Sequence, residues 1–394
     1  MILTELEKID AGLLKRLCNE RCPESQTLDF KRLPPGKDAK GKSEVLKDVC
    51  SMANSEGGDI VYGIGEDKEE GGASEIFPIS GESEDELLRR VGQVLDAGLE
   101  PRIVGLRLKT VKVDTGYVFI IRIPASFNGP HRYTLDGNSK FVMRNGTHTS
   151  ELTYDQLRGS FDRTATLTDR AREFRSNRLE MIGERQTVLP MMPGPICAVH
   201  LIPIAGLAGR RTVDVLPVFR EIRPLMFTDW GGGASRIMNF DGVLAYPHRD
   251  EKGVPSYSLV FRNGSIEFSR HGGRFIDDDA TTVPATTVTD FFRNATVRAI
   301  EIAKLLGMAG PAVLGFALLD VKDVTWGTSS YFSHRGAPKG DRRHMILPET
   351  WIEGIDLLGD VDTVVQPMLD LLWQCFGSER CPDYTNEGVW KPRP

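Results

Sequence analysis

With 394 residues, 40% of them hydrophobic and 26% charged, the chain is long enough for two or three domains, and its composition excludes a protein disordered throughout. A net charge of −6 excludes a surface coated in positive charge, so any contact with nucleic acid requires a local basic face. The six cysteines lack the paired C-x-x-C and histidine spacing of a zinc site and are too few for a disulfide framework, so they read as reduced thiols. No run is apolar and long enough to span a bilayer, and MILTELEKIDAGLLKRL is an amphipathic pattern rather than an export signal; a cytoplasmic protein with no membrane partner is expected.

In chain order, Leu6, Ile9, Leu13 and Leu17 fall on one helical face that Cys22-Pro23 ends, and TLDFKRL reads as a short strand running into Pro34-Pro35-Gly36. Val45, Leu46, Val49, Met52 and Ala53 mark a second helix, with Ser43 as its expected N-cap and Asn54 to Gly58 as its stop. A buried strand DIVYGI, an acidic loop EDKEEGGASE and a helix from Glu82 to Leu95 follow. RIVGLRLKTVKVDTGYVFIIRIP and HRYTLDGNSKFVMRNG are two hairpins, turning at Asp114-Thr115-Gly116 and Asp136-Gly137.

The first unit is thus a mixed α/β domain, bounded at 1–162. DRAREFRSNRLEMIGE supplies an arginine-rich connecting helix at 163–188, which fits a solvated surface helix and a nucleic-acid contact about equally. Residues 189–394 form a second α/β domain, with strands ICAVHLIPI, DGVLAYP, YSLVFRNGSIEFSR and VLGFALLDV and helices DFFRNATVRAIEIAKLLGM and VVQPMLDLLWQCF. The echo between FVMRNGTHTSE and LVFRNGSIE is better explained by Asn-Gly as a hairpin tip than by duplication. This second domain offers no evident chemistry. Its strongest basic cluster, His334, Arg335, Arg342, Arg343 and His344 in SHRGAPKGDRRH, reads as a surface loop somewhat better than as an RNA contact.

GKDAKGKS, residues 36–43, fits the phosphate-loop pattern G-x-x-x-x-G-K-[ST], with Lys42 and Ser43 as nucleotide-binding residues. A working loop follows directly from a buried apolar strand. Here a half-polar segment and two prolines precede it, and the acids that would hold magnesium, Asp320 or Glu66 with Asp67, lie in the other domain or one helix later. A chance match in an exposed Lys/Gly-rich loop is the better reading, leaving an ATP-binding protein as a third alternative.

PESQTLDFKR, VCSMANSEGGDIVYGIGED, FNGPHRY and KFVMRNGTHTSELTYDQL, in this order, resemble the Schlafen-type AlbA-like family, once labelled a divergent AAA-4 family, over about the first 160 residues. The resemblance implies an α+β, mixed-sheet domain and a metal-dependent endoribonuclease acting on structured RNA such as tRNA, in antiphage defence or stress. It implies Glu24, Asp29 and Glu66 as catalytic acids that, with Asp67, hold Mn2+ or Mg2+ beside a scissile phosphate. Asp29 stands where the family has Glu and Glu66 where it has Asp, which keeps each charge but shifts its oxygens by about one methylene.

Lys31, Arg144 and Thr147 would then be phosphate contacts, His131 and Arg132 a further one, and Arg107, Lys109 and Lys112 a basic face. Structurally, Glu24 would simply cap or salt-bridge near the Cys22-Pro23 break, Asp29 would face solvent on a strand edge, and a lone histidine such as His131 is more often a core residue. The alternative from another class is a non-catalytic module that binds DNA or RNA and regulates; self-association is open in either case.

Overall fold

Two folding units divide the chain, Met1–Thr166 and Leu167–Pro394, in a computed structural model. The structure describes all residues except 3, 5, 68–71, 127–128, 209–211, 222–234, 248–251, 276–280, 309, 328–337, 357 and 392–394, and only the backbone at 163–165, 274–275 and 281.

The first unit runs α1 (Ala11–Asn19), β1 (Leu28–Lys31), α2 (Ala39–Ala53), β2 (Gly58–Tyr62), β3 (Ile64–Glu66), β4 (Ala73–Ile76), α3 (Glu84–Gly98), β5 (Leu99–Glu100), β6 (Arg107–Val113), β7 (Gly116–Ile123), β8 (Arg132–Leu135), β9 (Asn138–Asn145) and β10 (His148–Glu151). Its main sheet has the order β1-β2-β7-β6, with β1 and β2 parallel and the other pairs antiparallel. Parallel neighbours need a crossover, and α2 provides it. Alternation along β7 explains how this sheet is buried on both faces: Tyr117, Phe119, Ile121 and Ile123 join the core under α2 and α3, while Val118 and Ile120 join the one under α1. A second sheet, β10-β9-β8-β5, packs against α2 through β9 and β8.

Helix caps are local. Asp10 accepts from the Leu13 amide at 2.8 Å, and Ser83 and Glu86 form a capping box on α3. Helix α2 starts four residues before the expected cap Ser43: Asp38 caps it, accepting from the Gly41 amide at 3.0 Å, because aspartate is at least as good a cap as serine.

Helix α4 (Tyr154–Gly183) begins earlier than the sequence pattern suggests and runs across the division. The second unit continues with β11 (Ile196–Pro203), α5 (Ile204–Leu207), α6 (Leu216–Arg220), β12 (Ser235–Met238), β13 (Gly242–Tyr246), β14 (Ser256–Phe261), β15 (Ile266–His271), β16 (Arg274–Phe275), β17 (Thr281–Pro284), α7 (Ala285–Leu305), β18 (Ala312–Leu319), β19 (Thr325–Gly327), β20 (His344–Ile346), β21 (Thr350–Ile352) and α8 (Asp362–Gln374). An antiparallel sheet in the order β12-β13-β14-β15-β11-β18-β20, with β21 beside β18, forms its centre. One face buries Val199, Leu201, Phe268 and Phe316 with α7 and α8; the other buries Ala198, Tyr257 and Ala317 with Leu179 and Ile182 of α4. Both Arg-Asn-Gly segments are hairpin tips, with Gly146 and Gly264 at positive φ.

Two arginines of α4 in this unit, Arg175 and Arg178, point inward, while Arg170 and Arg172 are exposed. Arg178 gives Glu267 two hydrogen bonds of 2.8 Å each, and Arg175 donates to the carbonyls of Phe316 (2.9 Å) and Leu347 (3.2 Å) in space that a side chain at Gly315 would fill. Arg175 and Arg178 thus dock the helix onto the sheet, and only Arg170 and Arg172 are left to solvent.

Candidate nucleic-acid interface

The C-terminal end of β1 carries Asp29 and Lys31, and a cluster of charges is built around them. Asp29, 3% exposed, is 3.0 Å from the Arg144 guanidinium and 2.9 Å from the Lys31 ammonium. Arg144, 2% exposed, also donates to the Ser25 carbonyl at 3.2 Å, and its backbone is tied to the Ser55 hydroxyl by two bonds of 2.9 Å. Lys31 reaches a second acid, Asp48 of α2, at 3.7 Å. Asp48 was not among the residues expected here. Its signal was available, since it falls inside the apolar stripe of Val45, Leu46, Val49 and Met52, where an acid must find a cation.

Glu24 accepts from the Phe30 amide at 2.7 Å. Burial, and then the charges of Asp29 and Glu66, raise its carboxyl above the usual range, with the Phe30 bond opposing. Burial likewise raises Asp48, against Lys31. Despite burial, Asp29, Asp48 and Glu24 together hold the Lys31 ammonium above its ordinary value. The expected trio is therefore within electrostatic reach, with Glu66 exposed at the end of β3 and Asp67 just after it.

Its geometry does not fit a divalent ion, which needs open carboxylate oxygens converging on one point. Among the described residues, Asp29 gives one oxygen to Arg144 and sets the other, which makes no hydrogen bond, 2.9 Å from the Lys31 ammonium, and no group of three His, Cys, Asp or Glu side chains is arranged to hold a metal.

The other expected contacts sort by burial. His131 is fully buried: its ring nitrogens lie 2.6 Å from the Pro101 carbonyl and 2.5 Å from the Ser126 hydroxyl, and burial lowers its pKa despite the Pro101 bond. Asn54 clamps the same segment, accepting from the His131 amide at 2.7 Å and donating to the His131 and Val142 carbonyls at 2.8 Å each. Gly57 and Gly58 follow at positive φ, where side chains would strike Pro124-Ala125 and Thr27. Lys109 is consumed by the carbonyls of Leu6, Glu7 and Ile9 at 2.8 to 3.0 Å.

His131, Lys109 and Arg144 are thus internal fasteners. Arg107, Arg132 paired with Glu100, Lys112 near Glu84 at 3.9 Å, and Thr147 at the β9–β10 turn remain reachable from solvent, as does Lys31 in part. The segment GKDAKGKS is a helix start rather than a phosphate cradle. Asp38 places a carboxylate on the first free amides, Lys42 and Ser43 lie within α2, and a side chain on Gly41 would collide with the Gly36 backbone. An anion there would meet the cap's own charge.

In the second unit, Asp320 is held by Arg185 at 3.1 Å and Arg343 at 2.9 Å, and Arg342 pairs with Asp341 at 2.8 Å. His344 accepts from the Asp320 amide at 3.3 Å; His334 and Arg335 lie outside the described residues. All six cysteines are free thiols.

A family model described as Schlafen, AlbA_2 matches residues 24–153, the span of the cluster, its Asn54 clamp and both hairpins. Residues 24–153 are a Schlafen AlbA_2 domain. No curated protein matches the chain. One similar solved structure is the N-terminal domain of a protein of Nitrosomonas europaea described as related to the ATP-dependent DNA helicase RecG, 16% identical over 34% of this chain and 86% of that one, with a TM-score of 0.26. Another is a protein of Corynebacterium diphtheriae, 20% identical over 36% of this chain but 26% of that one, with a TM-score of 0.24. Likenesses at this level carry nothing about function. The AlbA_2 match itself points to a nucleic-acid-related role, and among the described residues no helix is long and apolar enough to cross a membrane.

Proposed function

We propose that the AlbA_2 domain binds nucleic acid as a non-catalytic module, with its carboxylate cluster setting the shape and charge of the binding face. One observation carries this reading: Asp29 and Arg144 form a sealed ion pair, so the acid central to any cleavage site is already neutralised from within. A second reading, a Mn2+- or Mg2+-dependent nuclease for structured RNA such as tRNA, is favoured by the raised Glu24 carboxyl, which feels both Asp29 and Glu66. That reading requires the Asp29–Arg144 pair to open.

Incubating the full chain with bulk tRNA and a labelled DNA duplex, with Mn2+ or Mg2+ and with chelator, separates the two. The binding reading expects complexes in which the nucleic acid stays intact under every condition. Cleavage that is lost in a Glu24→Gln/Asp29→Asn variant and kept in Lys42→Ala would replace it with the nuclease.

A further inference from the structure

Many cations of the first unit are held by acids: Lys15 by Asp114, Lys31 by Asp29 and Asp48, Lys37 and Arg90 by Glu82, Arg122 by Asp59. Helix α2 carries three that are not. Lys40, Lys42 and Lys47 make no ion pair with any described carboxylate, although they lie within eight residues of one another in a chain of net charge −6. Lys40 is exposed and the other two are half-buried.

At 100° per residue, Lys40, Glu44, Lys47 and Ser51 line one face of the helix, and Lys42 lies on the opposite side. The lysine face runs toward the cluster: Lys47 is near enough to Asp48 to lower its carboxyl, and Asp48 is 3.7 Å from Lys31. At its far end Ser51 accepts from the Thr149 hydroxyl at 3.2 Å, on the strand that follows the exposed Thr147 turn.

We infer that Lys40 and Lys47, on the face that leads toward the carboxylate cluster, form the track that holds the sugar-phosphate backbone of a bound nucleic acid. The inference rests on the nucleic-acid reading above and assigns it a surface. An unpaired ammonium in a protein of net negative charge is the group best able to release counterions from a phosphate chain, because forming the contact breaks no internal pair. Glu44 is the one acid within the track and opposes binding.

The test is the salt dependence of binding of a labelled DNA duplex to the full chain in chelator, read as the slope of log affinity against log salt. Lys40→Ala/Lys47→Ala is expected to make the slope shallower by about 1.8, roughly 0.9 per lost phosphate contact, with Lys40→Arg/Lys47→Arg restoring it. Lys42→Ala removes one positive charge from the other side of the helix and is expected to leave the slope unchanged, while Glu44→Gln tightens binding. An unchanged slope in the double variant, or an equal loss in Lys42→Ala, overturns the track while binding itself persists. Absence of binding by the wild-type chain at low salt overturns the underlying nucleic-acid reading instead.

Discussion

Two clusters of buried charge, one in each unit, show opposite uses of the same chemistry. In the second unit Glu267 receives two bonds from Arg178, one from the Tyr257 hydroxyl at 2.7 Å and one from the His200 Nε2–H at 2.9 Å. Burial alone would raise its carboxyl; Arg178 and His200 hold it at about 2. Every lone pair is used, and the group is closed to solvent. In the AlbA_2 domain the acids outnumber their cations, burial leaves Glu24 and Asp48 raised, and the shared lysine is 40% exposed. A satisfied network is closed, whereas one that sets an exposed lysine beside raised acids stays open to solvent, and a phosphate chain must meet it at its lysines rather than at its acids.

The sharpest way to break this contrast is Glu267→Ala, which leaves Arg178 buried without its partner. A loss of about 4 kcal/mol is expected in denaturant titrations followed by tryptophan fluorescence, which reports this unit alone because all five tryptophans lie beyond residue 167. A loss below about 1 kcal/mol would mean that the quartet is incidental.

The pH response sharpens it further. Glu267 has a folded pKa of about 2 against an ordinary 4.5, so its stabilisation is full above 4.5 and lost as pH falls toward 2, roughly 3 kcal/mol in all. Glu24 and Asp48, raised when folded, carry the opposite sign: they cost stability at neutral pH and return it as pH falls through their raised values. Amide hydrogen exchange read separately in the two units should show these trends diverging on acidification. Smaller is the effect of Asp29→Ala, about 2 kcal/mol lost from the first unit by thermal unfolding, since Arg144 keeps the Ser25 carbonyl and Lys31 can turn to water. Smallest is Lys42→Ala, within about 0.5 kcal/mol of wild type and without effect on retention by immobilised ATP.

What was legible in the sequence followed local rules. The stripe of α2 and the buried run of β2 were readable from periodicity, and the order of short motifs identified the domain. What was missed depended on contacts distant in the chain. Arg144 reads as a phosphate contact until Asp29, 115 residues away, is seen against it, and Lys109 until the carbonyls of Leu6 to Ile9 are. The motif residues Asn54, Gly57 and Gly58 proved to be fasteners of strand ends, so the pattern that identifies the domain reports its architecture more than its chemistry. Asp38 was hidden as a cap because it sits inside a pattern that also spells a phosphate loop. The arginines of α4 have a helical spacing that cannot distinguish solvent from a facing sheet.

The central claim, that the AlbA_2 domain holds nucleic acid electrostatically without cutting it, is tested most directly by titrating the full chain into a labelled RNA hairpin in chelator from 50 to 200 mM salt. Mn2+ is then added to the complex and the RNA is examined for breaks. Binding that weakens steeply with salt, with RNA that stays whole after the metal is added, is the predicted result. RNA cleaved on addition of Mn2+, or no complex at the lowest salt, would contradict it.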